Sequence, residues 1–228
     1  MPNQLKAGAI LTYVTLFLNS AIGLIYTPFL TLKLGQAEYG LYSLVASVVG
    51  SLTVLDFGFG NALIRYTAKL RAEKKEQKLK EMYGMFFIIF CGIALLALII
   101  GMVVYFNTEN IFSQNMTSEE LGKMKIMLLL MVFNLCFTFV MSVYRSIIVA
   151  YERFIFQKVI NLIRIVLNPL VMVIFLLFGY KAITMVVLQT IFNVLTLLAD
   201  YYYCKRKLNI QFVFGKFDSA FLKEVSLY

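Results

Sequence analysis

Four side chains in this sequence carry charge inside otherwise apolar surroundings: Arg65, Arg145, Arg164 and Asp56. A charge in hydrocarbon costs free energy, so each belongs against protein, water or a polar ligand. A guanidinium is a planar fork of donors that can grip a phosphate through two parallel hydrogen bonds. Arg65, Arg145 and Arg164 each fall about five to eight Å inside one membrane boundary, at 1.5 Å per helical residue. Converging there, they would suit an anionic head group. Snorkelling competes with that reading, because each long side chain could simply carry its charge to the lipid headgroups. Asp56 lies deeper, about 15 Å from the same boundary. On a regular helix it is half a turn out of phase with Arg65. Its partner then comes from another helix or from a distortion at Gly58 and Gly60, or it holds a proton. Both a proton-coupling role and a structural ion pair fit such a carboxyl.

Polar residues recur beside these charges at spacings of 3, 4, 7 and 11, which place them on one helical face. Gln157, Asn161, Arg164 and Asn168 form one row, and Gln189, Asn193, Thr196 and Asp200 another. Ser47, Ser51, Gly58, Asn61 and Arg65 form a third. Shorter rows are Asn134, Thr138 and Arg145, and Thr12, Thr15 and Asn19. Together they suggest a shared hydrophilic surface, with Asn61, Asn134, Asn161, Asn168, Gln189 and Asn193 lining a polar cavity. Ordinary hydrogen bonding between helices, worth about 0.6–2 kcal/mol per contact, would need the same residues.

The elements that position these rows follow from composition. Hydrophobic residues make up 61% of the 228 and charged residues 14%, against roughly 45–50% and 25% in soluble domains. A globule of this size cannot hide that excess, so its solvent is lipid. Disorder, collagen-like and disulfide-scaffold classes are excluded by the same figures. With no His, and three Cys without a CxxC spacing, no zinc site, thiol pair or His-based catalysis is available. No metal and no cofactor are expected.

A bilayer core of about 30 Å needs about 20 apolar residues in a helix. Six runs qualify, at about 7–32, 41–66, 82–106, 126–150, 159–178 and 182–203. The expected fold is an all-α integral membrane bundle of six transmembrane helices over residues 1–209. The third run has no polar row and is expected to face lipid most. Pro28 and Pro169 fall inside the first and fifth runs and mark expected kinks. Fourteen of the 21 Lys and Arg lie before the first run, between alternate runs and after the sixth. The positive-inside rule then places both termini in the cytoplasm. The net charge of +9 thus reflects topology and contact with anionic lipid heads, without nucleic acid. Tyrosines at the run edges, such as Tyr39, Tyr105, Tyr151 and Tyr203, form an interfacial belt. Residues 210–228 read as an interfacial amphipathic segment, helical over 210–223, followed by the start of a seventh span. Asn115, Met116 and Thr117 spell a weak glycosylation sequon.

Three stretches carry a family resemblance. The first is Thr27-Pro28-Phe29-Leu30 through Leu34-Gly35 to Glu38-Tyr39-Gly40-Leu41-Tyr42. The second is Leu55-Asp56-Phe57-Gly58-Phe59-Gly60-Asn61-Ala62 followed by Arg65-Tyr66, and the third is Ala150-Tyr151-Glu152-Arg153-Phe154. In this order and spacing the chain resembles the polysaccharide flippases of the multidrug/oligosaccharidyl-lipid/polysaccharide (MOP) exporter superfamily. The resemblance implies a MATE-like transporter of two six-helix lobes, of which this chain looks like the N-terminal one. The implied cargo is an undecaprenyl-diphosphate-linked oligosaccharide, moved across a bacterial cytoplasmic membrane for surface polysaccharide such as the O-antigen of lipopolysaccharide. A C-terminal lobe or a second copy of the chain is the implied partner. The arginines would meet the diphosphate, the polar rows the sugars, and Asp56 a coupling ion. A drug/cation antiporter of the same superfamily is an alternative, although three Arg against Asp56 favour anionic cargo. A non-transporting half-transporter is another. A membrane enzyme would need clustered carboxylates or a His or Cys nucleophile system, and neither pattern is present.

Overall fold

A computed structural model describes residues 2–112 and 116–215, with the backbone alone over 2–7. The described residues are helical apart from short connections and a final extended stretch. Helices α1 (Pro2–Ser51), α2 (Phe59–Ala72), α3 (Glu76–Phe112), α4 (Ser118–Ala150), α5 (Phe154–Leu177) and α6 (Ala182–Arg206) follow in order, with a 3-10 turn at Leu52–Asp56. Among the described residues, five helical runs are long and apolar enough to cross a membrane, and the first of them extends from Gly8 to Ala72.

A straight helix of 50 residues would reach about 75 Å, more than twice a bilayer core. The break in α1 falls at Gly35, whose φ of 79° and ψ of 164° are essentially closed to other residues. Pro28 leaves the helix unbroken, since a proline costs one backbone bond where Gly35 abandons the helical conformation altogether. The two arms of α1 meet different partners. Gly8 on the first arm touches Phe154 at the start of α5, and Leu30 and Leu34 pack with Met172 and Leu176 near its end. Leu41, Val45 and Val49 on the second arm join the main core with α3 and α4. A single residue therefore does what the sequence assigned to a loop over 33–40.

The second expected run is also discontinuous. The 3-10 turn ends at Asp56, Phe57 (φ 45°) and Gly58 (φ 77°) take left-handed conformations, and α2 restarts at Phe59. This is the distortion near Gly58 that the polar pattern allowed. It also breaks the row from Ser47 to Arg65 into two segments that no longer share one helical face.

Helix α4 is the centre of the bundle, packing most extensively against α3 and α6 and also touching α1, α2 and α5. Its Met124, Met127, Leu128, Val143, Ile147 and Ile148 are fully enclosed, as are Phe86 and Phe90 of α3. The third run, expected to face lipid most, is not the least buried within the chain. Its most apolar window is 28% buried, against 11% for the first and fifth runs. The reason is close packing of small residues, which substitutes for a polar row. Gly101 lies directly against Val132, Ala94 and Ala97 are buried, and the Cys136 thiol donates to the Ala94 carbonyl at 3.2 Å.

After α6, residues 210–215 are not helical. The chain instead runs along α3, where the Val213 N–H donates to the Lys80 carbonyl at 3.1 Å. Phe212 packs against Tyr83, Phe87 and Tyr144. A backbone bond to α3 and aromatic insertion take the place of the expected helix over this part. The remainder of that expected helix, the start of a seventh span and Asn115 of the sequon lie outside the described residues.

Candidate polar site between helices 4, 5 and 6

Three of the polar rows meet at Asn193 on α6, which is 8% exposed. The Arg164 Nη1 on α5 donates to its Oδ1 at 3.1 Å. The Asn193 Nδ2 donates to Asn134 Oδ1 at 2.6 Å and to Thr138 Oγ1 at 2.7 Å, both on α4. The Thr138 hydroxyl in turn donates to the Asn134 carbonyl at 2.7 Å. The Asn193 amide thus uses its acceptor on a cation and its donor on two neutral oxygens. Reversing it would set its NH₂ against a guanidinium that has no acceptor. Four positions found by spacing therefore form one contact across three helices.

This geometry turns Arg164 inward. One of its five N–H donors is used on Asn193, and the others make no hydrogen bond among the described residues. Arg145 on α4 is exposed, and its backbone carbonyl accepts from Gln157 Nε2 at 2.7 Å. Its guanidinium lies within electrostatic reach of both Arg164 and Asp200. Asp200, 2% exposed, stands two turns along α6 from Asn193. Two cations and one buried carboxyl thus share this side of the bundle. Spacing placed Asp200 on the right face, but its position at the end of the run hid its burial from sequence reasoning.

The other candidates are placed as follows. The Tyr42 hydroxyl on the second arm of α1 donates to Gln189 Oε1 at 3.0 Å. Asn161 and Asn168 are half-buried on α5. The Asn168 Oδ1 is buried without a hydrogen-bond partner among the described residues. Asn61 and Arg65 are exposed on α2, and the network around Asn193 is built without them. Asp56 is half-buried, with its Oδ2 beside Gly60, where Ser146 of α4 also approaches. Several row members turn back on their own helices. The Thr12, Thr15 and Thr196 hydroxyls donate to carbonyls four residues earlier. Such residues satisfy themselves and need no cavity.

The opposite end of the bundle is tied by charge. Lys123 donates to Glu38 at 2.6 Å and pairs with Glu119 at 2.8 Å. Glu38 also accepts from the Ala182 N–H at 3.4 Å, so one carboxylate just past the Gly35 break joins α1, α4 and α6. The hydrogen bonds it donates to Glu119 and Glu38 push the Lys123 ammonium's pKa upward. Thr117 and Glu120 cap α4 reciprocally, which satisfies two of its unpaired N–H groups.

Long apolar helices, a lipid-like exterior and an arginine-bearing polar contact in the interior define a multi-pass helical membrane protein. A family model described as a polysaccharide biosynthesis protein matches residues 5–227, and the chain belongs to that family. Neither the curated proteins nor the solved structures offer a match.

Proposed function

We propose that this chain forms one lobe of a transporter that turns an undecaprenyl-diphosphate-linked oligosaccharide across a bacterial cytoplasmic membrane. Family membership supports a role in polysaccharide biosynthesis. The observation that carries the transport reading is the inward guanidinium of Arg164, fixed by Asn193 with most of its donors unspent. Counting the arms of α1 separately allows six crossings, and with the Lys and Arg distribution this supports cytoplasmic termini. Arg164 and Arg145 then grip the diphosphate near the inner boundary, with Arg65 at the rim. Asn161, Asn168 and Gln189 offer donors and acceptors to sugar hydroxyls, while Asn134 and Asn193 hold Arg164 in place. Asp56, beside a break in the chain, is the coupling carboxyl. A second lobe or a second copy of this chain supplies the facing wall. Two arginines against one buried carboxyl favour an anionic cargo over a cationic drug.

The test is surface polysaccharide export in cells dependent on this protein. Arg164→Ala removes a charged hydrogen-bonding group, and at about 1.5–3 kcal/mol the loss of export is about 10- to 100-fold. Arg164→Lys keeps the charge without the fork and falls between. Wild-type export from both variants would contradict the role.

A further inference from the structure

Arg71, Lys74, Lys75 and Lys80 line a cleft of about 420 Å³ at the turn between α2 and α3. Glu76 is the acidic residue in that lining. The cleft lies away from the network around Asn193, and its wall is completed by Tyr151 and by the chain after α6. Each cation is held differently. Arg71 Nη1 donates to the Ala150 carbonyl at 2.9 Å, and its guanidinium sits 3.7 Å from the centre of the Tyr151 ring. That arrangement gives a fixed positive charge in the wall. Lys80 Nζ donates to Gln211 Oε1 at 3.0 Å, which leaves two of its protons. Lys75 is paired with Glu73 at 2.7 Å.

Lys74 has no side-chain partner among the described residues and stands exposed. Its φ of 54° is left-handed. The Lys74 N–H bonds to the Arg71 carbonyl and the Lys75 N–H to the Leu70 carbonyl, a helix-ending motif whose left-handed position normally holds glycine. A lysine keeps a strained conformation here, and it places a cation on the lip of the cleft. Tyr83, 1% exposed, also lines the cleft. Its hydroxyl stands beside those of Thr67 and Tyr151. The first turn of the 37-residue α3 adds the positive end of a helix.

We propose that this cleft binds the phosphate of a phosphate ester, held by Lys74 and Lys80 against the charge of Arg71. A built pocket of this kind recognises one group, where scattered basic residues would only attract an anionic surface. The ester is either an anionic lipid headgroup or a soluble phosphate.

The experiment offers the full chain in detergent phosphatidylglycerol in one arm and glycerol 3-phosphate in the other, and counts bound molecules by native mass spectrometry. One retained molecule is expected, with affinity falling about tenfold in Lys74→Gln/Lys80→Gln. Lys69→Gln/Lys78→Gln, two cations of the same turn outside the cleft, keeps it. Retention in the first arm alone identifies a lipid headgroup, and retention in the second identifies a soluble ester. Lys74→Gln alone, at an exposed position without a partner, serves if the double variant does not fold. Equal loss from both pairs of variants, or no retained molecule in either arm, overturns the proposal.

Discussion

Arg164 on α5 and Asn193 on α6 meet through a 3.1 Å hydrogen bond in which the amide oxygen accepts from the guanidinium. Because Asn193 spends its NH₂ group on Asn134 and Thr138, one side chain fixes the relation of α4, α5 and α6. Asn193→Ala leaves the Arg164 donor and the Asn134 acceptor without partners at once. Three contacts of about 0.6 kcal/mol each give a loss of about 2 kcal/mol. Thr196→Val, which removes only a hydroxyl bonded to its own helix, costs less than about 0.5 kcal/mol. Thermal or denaturant midpoints in detergent separate the two, and equal losses would place the network outside the fold's stability.

The contact of α3 with α4 depends on the absence of a side chain at Gly101. A Cβ there would stand 2.6 Å from Cγ2 and 2.8 Å from Cγ1 of Val132. Gly101→Ala therefore destabilises by about 1–3 kcal/mol through overpacking. Val132→Ala introduced with it restores most of that loss, although Val132→Ala alone also destabilises. Purely additive effects in the double variant would contradict direct contact.

Stability at the α3–α4 end follows a defined pH window. Hydrogen bonds hold the carboxyls of Glu109 (from Lys125), Glu119 (from Lys123) and Glu120 (from the Thr117 backbone and hydroxyl) below their usual 4.5. Groups lowered on folding contribute stability that is present above the unfolded value and lost as pH falls through the folded one. Lys123 is shifted upward, so its contribution is full below 10.5 and lost as pH rises past that. The thermal midpoint is thus flat near neutrality, falls below pH 4.5, and falls less steeply there in Glu119→Gln. A midpoint already falling at pH 6 would assign the acid sensitivity to other groups.

Much of this was legible in the residues themselves. Helical spacing placed Arg164, Asn193, Asn134 and Thr138 on faces that do meet, because a polar group in a span must find protein or water wherever the helix packs. Spacing failed where the helix stops being regular. The left-handed turn at Phe57 and Gly58 changes the phase between Ser51 and Asn61, and a row drawn through it has no physical meaning. Gly35 rather than Pro28 breaks α1, because proline disrupts one bond while glycine opens a conformation the rest of the chain cannot use. The burial of α3 left no signal in polarity, since Gly101 and Ala97 pack by being small. The cleft at Lys74 depends on the chain after α6 folding back along α3, a long-range contact that no local pattern encodes.

The polar face of α5 is tested most directly by single cysteines read with a membrane-impermeant maleimide, against the reactivity of native Cys91, Cys136 and Cys204. Asn161→Cys and Asn168→Cys share the face of Arg164, whereas Ile163 and Leu170 are 51% and 56% exposed among apolar neighbours. A water-filled crevice predicts several-fold faster labelling at the two Asn positions than at Ile163→Cys or Leu170→Cys. Silent Asn positions beside reactive Ile163 and Leu170 positions would contradict it.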